Sequence, residues 1–243
     1  MNTDSQPLTH GIRSFVAGIN LIRQPGLRRF VLIPLLVNIA LFGVASLLLW
    51  HYLSTAVDSM LPSWLSWLAW LIIPIFMTSV LAIVYYCFTL LANIIAAPFY
   101  GQLSKGVEAY LKGEPHSDLG SEYSLKEVLQ MLGSELRKIS YYLLRALPLL
   151  VLSIIPGVNV ISLPLWLLFS AWFLTFEYAG YSFENHKVLF NEQKRILNKS
   201  QVNGMTFGGM SLLATMIPVV NLFAPAIAVA GATKMLYERG ELD

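Results

Sequence analysis

The stretch Gln24-Pro25-Gly26-Leu27-Arg28-Arg29-Phe30-Val31-Leu32-Ile33-Pro34 carries the chain from polar to apolar within a few residues. From Phe30 to Leu53 only Asn38 and His51 interrupt the apolar run, apart from small hydroxyls. Twenty-four residues at ~1.5 Å each exceed the ~30 Å hydrocarbon thickness of a bilayer. The run predicts a transmembrane helix over 30–53. Two arginines stand at its mouth, and a Pro-Gly pair directly before them sets its start.

The composition points the same way. The chain has 243 residues, 56% hydrophobic and 12% charged, with mean hydropathy +0.62. Soluble domains carry about 25% charged residues. A chain with half that fraction lacks the solvated face a globular protein needs, and lipid is its natural solvent. The net charge of +2 says little about partners, and no nucleic-acid partner is expected. A lone Cys87 cannot form an intrachain disulfide. The polar start, with no apolar core in its first dozen residues, reads as lacking a cleavable signal peptide.

Outward from the opening stretch, residues 8–24 place Ile12, Phe15, Val16, Ile19 and Ile22 at helical spacing, which predicts an amphipathic helix on the membrane surface. A second long apolar run, 64–100, predicts a tilted transmembrane helix that continues beyond the bilayer. Residues 101–138 are soluble in character and predict cytoplasmic helices. Residues 139–181 and 204–235 are apolar segments broken at their centres, with a polar helix, 182–203, between them.

All sixteen Lys and Arg fall in 1–29, 101–138, Arg145, 187–199 and the tail, and the loop 54–63 has none. The positive-inside rule then makes the N- and C-termini and both polar segments cytoplasmic. Each broken segment must leave the cytoplasm and return. The arms of the last one hold about 13 and 11 residues, reaching only ~16–20 Å, so they predict a re-entrant hairpin. The arms of 139–181 hold 17 and 22 residues, long enough for either two true spans or a second re-entrant hairpin. The tips Ile155-Pro156-Gly157-Val158-Asn159 and Ile217-Pro218-Val219-Val220-Asn221 share Ile-Pro-x-x-Asn, a weak internal repeat that favours the second hairpin.

These residues resemble the CysZ family of bacterial inner-membrane sulfate permeases. The likeness rests on Gln24 to Phe30 followed by Pro34-Leu35 and Asn38. It extends to Asn93 with Ala97-Pro98-Phe99-Tyr100-Gly101, to the two tips, and to Phe176-Glu177-Tyr178. It covers essentially the whole chain. The resemblance implies an all-α integral membrane protein with two long transmembrane helices, two hemi-penetrating hairpins and a dimeric or larger homo-oligomer. It implies sulfate transport feeding cysteine biosynthesis, with sulfite as a related oxyanion, and a sulfate-binding Gly-Leu-Arg motif that maps to Gly26, Leu27, Arg28 and neighbouring Arg29.

The chemistry of that motif suits a tetrahedral dianion. Guanidinium offers planar paired donors, and a helix N-terminus offers free N–H groups and a positive dipole end. By local sequence alone, the arginines equally serve as cytoplasmic anchors beside a span. Asn38, Asn93, Asn159 and Asn221 are candidates to line a polar path, or to bridge helices by hydrogen bonds. Glu177 and Arg145 are the ionisable residues of the first hairpin. Their depths differ by ~10 Å, so no direct pair is expected. Glu177 is read as close to Lys138 or an entrance arginine in a structural ion pair, with gating or ion coupling as the alternative. Gly204 and Gly208 form a Gly-x-x-x-Gly spacing for close helix packing. The scattered histidines make no metal site, and no cofactor fingerprint or catalytic set emerges, so no cofactor and no enzyme activity are expected. The competing reading is a membrane-embedded interaction or regulatory protein without transport of its own, whose polar helices dock a partner.

Overall fold

The computed structural model describes residues 7–60, 69–114 and 125–242, with side chains described at 9–47, 70–71, 74–76, 78–80, 95–114, 130 and 133–242. Among the described residues every regular element is a helix: α1 (Pro7–Ile22), α2 (Arg29–Met60), α3 (Ala69–Lys112), α4 (Leu125–Ile154), α5 (Asn159–Asn185), α6 (Phe190–Asn198), α7 (Gln201–Met216), α8 (Pro218–Asn221) and α9 (Ala224–Glu238). They fall into two compact units, Leu32–Phe99 on the one hand and Met1–Val31 with Tyr100–Asp243 on the other.

The first unit contains most of α2 and the front of α3. α2 has 32 residues, ~48 Å, and passes Pro34 without ending. Leu36, Ile39, Phe42 and Leu47 lie exposed along it, as a lipid-facing helix requires. α3 has 44 residues, ~66 Å, and does not stop where polarity rises at Gly101. It runs through to Lys112. The backbone hydrogen-bond ladder is indifferent to whether side chains meet lipid or water, so the apolar run and the polar helix after it are one element. The same holds for α4, whose 30 residues join the polar stretch before Lys138 to the first arm of the hairpin.

The core of the second unit is built from α1, α5, α7 and α9. α9 is rich in small residues over its first three turns, and Ala224, Ala226, Ala228, Ala230, Gly231 and Ala232 are buried. α1 lies antiparallel along it. His10 Nε2 is 3.6 Å from Glu238 Oε2 at one end, and a Cβ on Gly231 would sit 2.6 Å from the Ser14 carbonyl oxygen. Further along, a Cβ on Gly18 would run into the Ile227 carbonyl. Backbones this close leave room for glycine and serine only. The buried stripe of α1 is therefore Gly11, Ser14, Phe15, Gly18 and Leu21. The stripe expected to meet a membrane surface shares only Phe15 with it, and Ile12 and Val16 remain exposed.

α5 and α7 meet through the Gly-x-x-x-Gly spacing. A Cβ on Gly204 would come 2.9 Å from Trp172 Cζ3, and one on Gly208 would overlap the Ala171 carbonyl. Thr175 Oγ1 donates to the Gly204 carbonyl at 2.6 Å across the same contact. Position 204 facing 175 and 208 facing 171 makes the two helices antiparallel. Behind them, Ser104, Ser182 and Thr233 form a buried triangle of hydroxyls, 2.8–3.0 Å apart, tying α3, α5 and α9.

Two hairpins result. The first is α4, a turn at 155–158, and α5. The second is α7, α8 and α9. Its arms hold 16 and 15 residues, ~24 and ~22 Å, short of a ~30 Å hydrocarbon core. Helix α5 holds 27 residues, ~40 Å, and together with Arg29–Leu47 of α2 is long and apolar enough to cross a membrane.

Candidate functional site

The turn between α1 and α2 is built from the inside out by Leu27, which is 4% exposed, with Phe30 and Val31 buried just beyond it. Backbone bonds close the turn: the N–H groups of Leu27 and Arg28 both donate to the Gln24 carbonyl, at 3.0 and 3.1 Å. The apolar anchor turns the neighbouring cations outward. Arg23, Arg28 and Arg29 are all exposed. Arg28 Nε donates to the Arg23 carbonyl at 2.6 Å, which fixes its stem and leaves its two terminal nitrogens outward. The Arg29 guanidinium lies 4.7 Å over the Phe30 ring. A Cβ on Gly26 would meet nothing within 4 Å, so the backbone there is open to an approaching group.

The antiparallel fit of α1 on α9 places this turn. His10 is level with Glu238, Ser14 with Gly231 and Gly18 with Ile227, so α1 ends near the start of α9. The arginine turn thus begins at the tip end of the second hairpin. The polar tail stands at the opposite end, a 15-residue helix away, or ~22 Å.

The four asparagines divide. Asn38 Oδ1 in α2 is shut off from solvent and has no hydrogen-bond partner among the described residues. The side chain of Asn93 lies outside the described residues. Asn159 and Asn221 are exposed at the tips, and their backbones do the same work. Asn159 N–H donates to the Ile155 carbonyl at 3.0 Å, and Asn221 N–H to the Ile217 carbonyl at 2.8 Å. The Ile-Pro-x-x-Asn repeat therefore closes both tips with the same Asn-to-Ile backbone bond, although Gly157 takes φ +83° in the first and Pro218–Asn221 form a helical turn in the second. Both tips are apolar and uncovered, with Ile154, Val160, Val219 and Leu222 all exposed. Because α7 runs antiparallel to α5, Met216 at the end of α7 falls roughly level with Leu163, and both tips lie at the same end of these helices. Both tips point the same way.

Glu177 and Arg145 are not brought to one site. Glu177 belongs to the charged patch around Lys138. Burial pulls the Lys138 ammonium down, but its hydrogen bond to Glu135 and the charges of Glu177 and Glu184 outweigh this and hold it above its usual range. Lys138 Nζ is 2.8 Å from Glu135 Oε2. Arg145 stacks on Tyr141, 3.7 Å from the ring centroid, and lines a cavity of about 470 Å³ together with Lys194 of α6. Sequence reading missed Lys194, although Tyr141 four residues before Arg145 on one helix face is the spacing that allows the stack.

A further group escaped the sequence reading. Glu108 on the polar end of α3 takes Lys112 Nζ at 2.7 Å and His186 Nε2 at 2.7 Å, and Asn185 Nδ2 donates to the Gly101 carbonyl at 2.9 Å. Burial pushes the Glu108 carboxyl up, but the two hydrogen bonds and the accompanying charges win and lower its pKa. These contacts fasten α3 to the end of α5.

Helices throughout, two of them among the described residues long and apolar enough to cross a bilayer, and uncovered apolar hairpin tips define an all-α membrane protein. Residues 14–225 match the family model described as Sulfate transporter CysZ/Etoposide-induced protein 2.4. Sulfate transporter CysZ of Pseudomonas paraeruginosa is 43% identical over 243 residues, covering 97% of this chain and 98% of that protein. The protein of the same name from Salmonella paratyphi A is 45% identical over 229 residues, 93% of this chain and 90% of its own length. That of Pectobacterium atrosepticum is 42% identical, covering 94% and 85%. The chain belongs to the sulfate transporter CysZ/etoposide-induced protein 2.4 family.

Proposed function

We propose that this chain moves sulfate across the bacterial inner membrane into the cytoplasm, where it supplies cysteine biosynthesis. The observation that carries the reading is likeness to sulfate transporters along 97% of the chain. Within it, the turn Gly26-Leu27-Arg28-Arg29 is the sulfate-binding element. Exposed guanidiniums on a buried leucine anchor, beside an open backbone at Gly26, support that role. Sulfite, with the same charge and a similar oxygen face, is a second substrate of the site.

The two hairpins enter the bilayer from their polar ends and turn back at the Ile-Pro-x-x-Asn tips. Arms of 16 and 15 residues in the second hairpin support this, because neither reaches across. The termini and the polar helices then face the cytoplasm. The arginine turn, level with the second tip, lies deep enough that water must reach it, since bare guanidinium in lipid is strongly unfavourable. Asn38, with its orphaned oxygen, suits a polar path along α2. Backbone at the tips needs cover in a bilayer, and further copies of the chain in a homo-oligomer supply it.

Radiolabelled sulfate uptake into liposomes carrying the purified chain tests the reading. Uptake above empty liposomes, suppressed by excess unlabelled sulfate, is the expected result. Uptake equal to empty liposomes from a folded, monodisperse preparation would remove the transport reading and leave an interaction protein.

A further inference from the structure

We propose that the cavity between α4, α5, α6 and α7 is a second oxyanion site, built for a sulfate or phosphate group and separate from the Arg28–Arg29 turn. Two cations share one aromatic ring there. The Arg145 guanidinium lies 3.7 Å, and the Lys194 ammonium 5.3 Å, from the centroid of Tyr141. The cavity is about 470 Å³ and is also lined by Trp172, Asn198 and Gln201, and among the described residues none of its lining side chains is acidic. Two like charges held at one ring repel each other, and no lining carboxylate among the described residues offsets them. An anion between them removes that repulsion.

The donors suit a tetrahedral oxyanion. Stacking on Tyr141 uses the face of the guanidinium and leaves the N–H groups in its plane for paired hydrogen bonds. Lys194 adds a point charge, and the amides of Asn198 and Gln201 add neutral donors. Trp172 Nε1 reaches the Tyr141 hydroxyl only at 3.5 Å, the long limit of a hydrogen bond, so its N–H is weakly engaged and open to a closer acceptor in the cavity. The remaining wall is apolar and includes Leu168, which continues the exposed leucine face of α5. Free sulfate and the phosphate of an anionic lipid offer the same chemistry to the cations, and the apolar wall admits both.

The test is binding to the full-length chain, with no gradient or flux, so it stands or falls apart from the transport reading. Arg28→Ala with Arg29→Ala removes the first site from the background. One arm measures [35S]sulfate by equilibrium dialysis in neutral detergent. The other measures phosphatidylglycerol retained by the chain from phosphatidylcholine nanodiscs containing it. Replacing Arg145 and Lys194 by Gln should weaken one ligand by at least ~10-fold, the scale of a lost charge-assisted hydrogen bond. Loss in the sulfate arm identifies a free oxyanion site, and loss in the lipid arm a headgroup site. Lys194→Arg alone, which keeps both charges and leaves the Arg145 stack in place, should stay within ~3-fold. Unchanged binding of both ligands in the Gln pair overturns the proposal, as does a loss in Lys194→Arg equal to that of the Gln pair. If the Gln pair does not fold, Lys194→Gln alone decides: weakening supports the site and unchanged binding overturns it.

Discussion

The two hairpins close with the same Ile-Pro-x-x-Asn sequence and are held in opposite ways. Each asparagine N–H reaches back to the isoleucine carbonyl of its own tip, at 3.0 Å in the first and 2.8 Å in the second. Yet α9, the second arm of the second hairpin, is buried along nearly its whole length by α1, α5 and α7. The tip half of α5 is bare, with Leu163, Leu165, Leu167 and Leu168 outward. Side-chain size makes the difference. Alanines and glycines let backbones touch and fasten protein to protein, whereas leucines stand off and offer surface to lipid. A shared turn sequence specifies the bend and leaves the environment to the flanking residues.

The largest effect should come from forcing bulk into the clasped side. Gly208→Val drives a side chain into the Ala171 carbonyl and should cost more than ~3 kcal/mol, the upper range for overpacking, with Gly209→Val nearly neutral because its Cβ meets nothing within 4 Å. Thermal melting in detergent, followed by loss of the monodisperse peak, measures both. If the two variants melt alike, the glycine contact is not what holds α7.

On the bare side, Leu163→Asp should reduce membrane insertion by ~2–3 kcal/mol, as a charge at a lipid-facing helix position does. Membrane-fraction yield reports it. Normal yield would mean that protein or water, not lipid, covers that face.

The Glu108 junction sits outside both tips and should show a smaller, pH-dependent effect. A carboxyl whose folded pKa is lowered contributes stability above its ordinary range and loses it as pH falls through the folded value. Glu108→Gln should therefore lower stability by ~1–2 kcal/mol near neutral pH, discounted for partial exposure, with the gap from wild type closing below the usual carboxylate range. Melting curves across pH measure the gap, and a gap independent of pH would contradict the ionic role. Smallest of all, Asn159→Ala and Asn221→Ala should each change stability by less than ~0.5 kcal/mol, because the backbone makes the turn and the side chains are exposed. A loss of sulfate uptake without loss of stability in either would put that amide on the path.

The apolar runs, the two tips and the Gly204–Gly208 contact were legible in the sequence, because each is a local pattern with one physical meaning. The buried face of α1 was not. Hydrophobicity picks out Ile12 and Val16, but closeness to α9 picks out Gly11, Ser14 and Gly18, and a single helix does not reveal which neighbour it has. Polarity marked a boundary at Gly101 that the helix itself ignores. The Ser104–Ser182–Thr233 triangle and the pairing of Arg145 with Lys194 join residues far apart in the chain, so only the packed helices bring them into view. In the arginine turn, the residue types were readable, whereas their place level with the second tip came from the α1–α9 register.

The most direct measurement is sulfate uptake by liposomes carrying Arg28→Ala with Arg29→Ala, set beside sulfate binding to the same preparation. The account predicts a loss of at least ~10-fold in both, with the melting temperature unchanged because both side chains are exposed. Wild-type uptake from the folded double variant would contradict it.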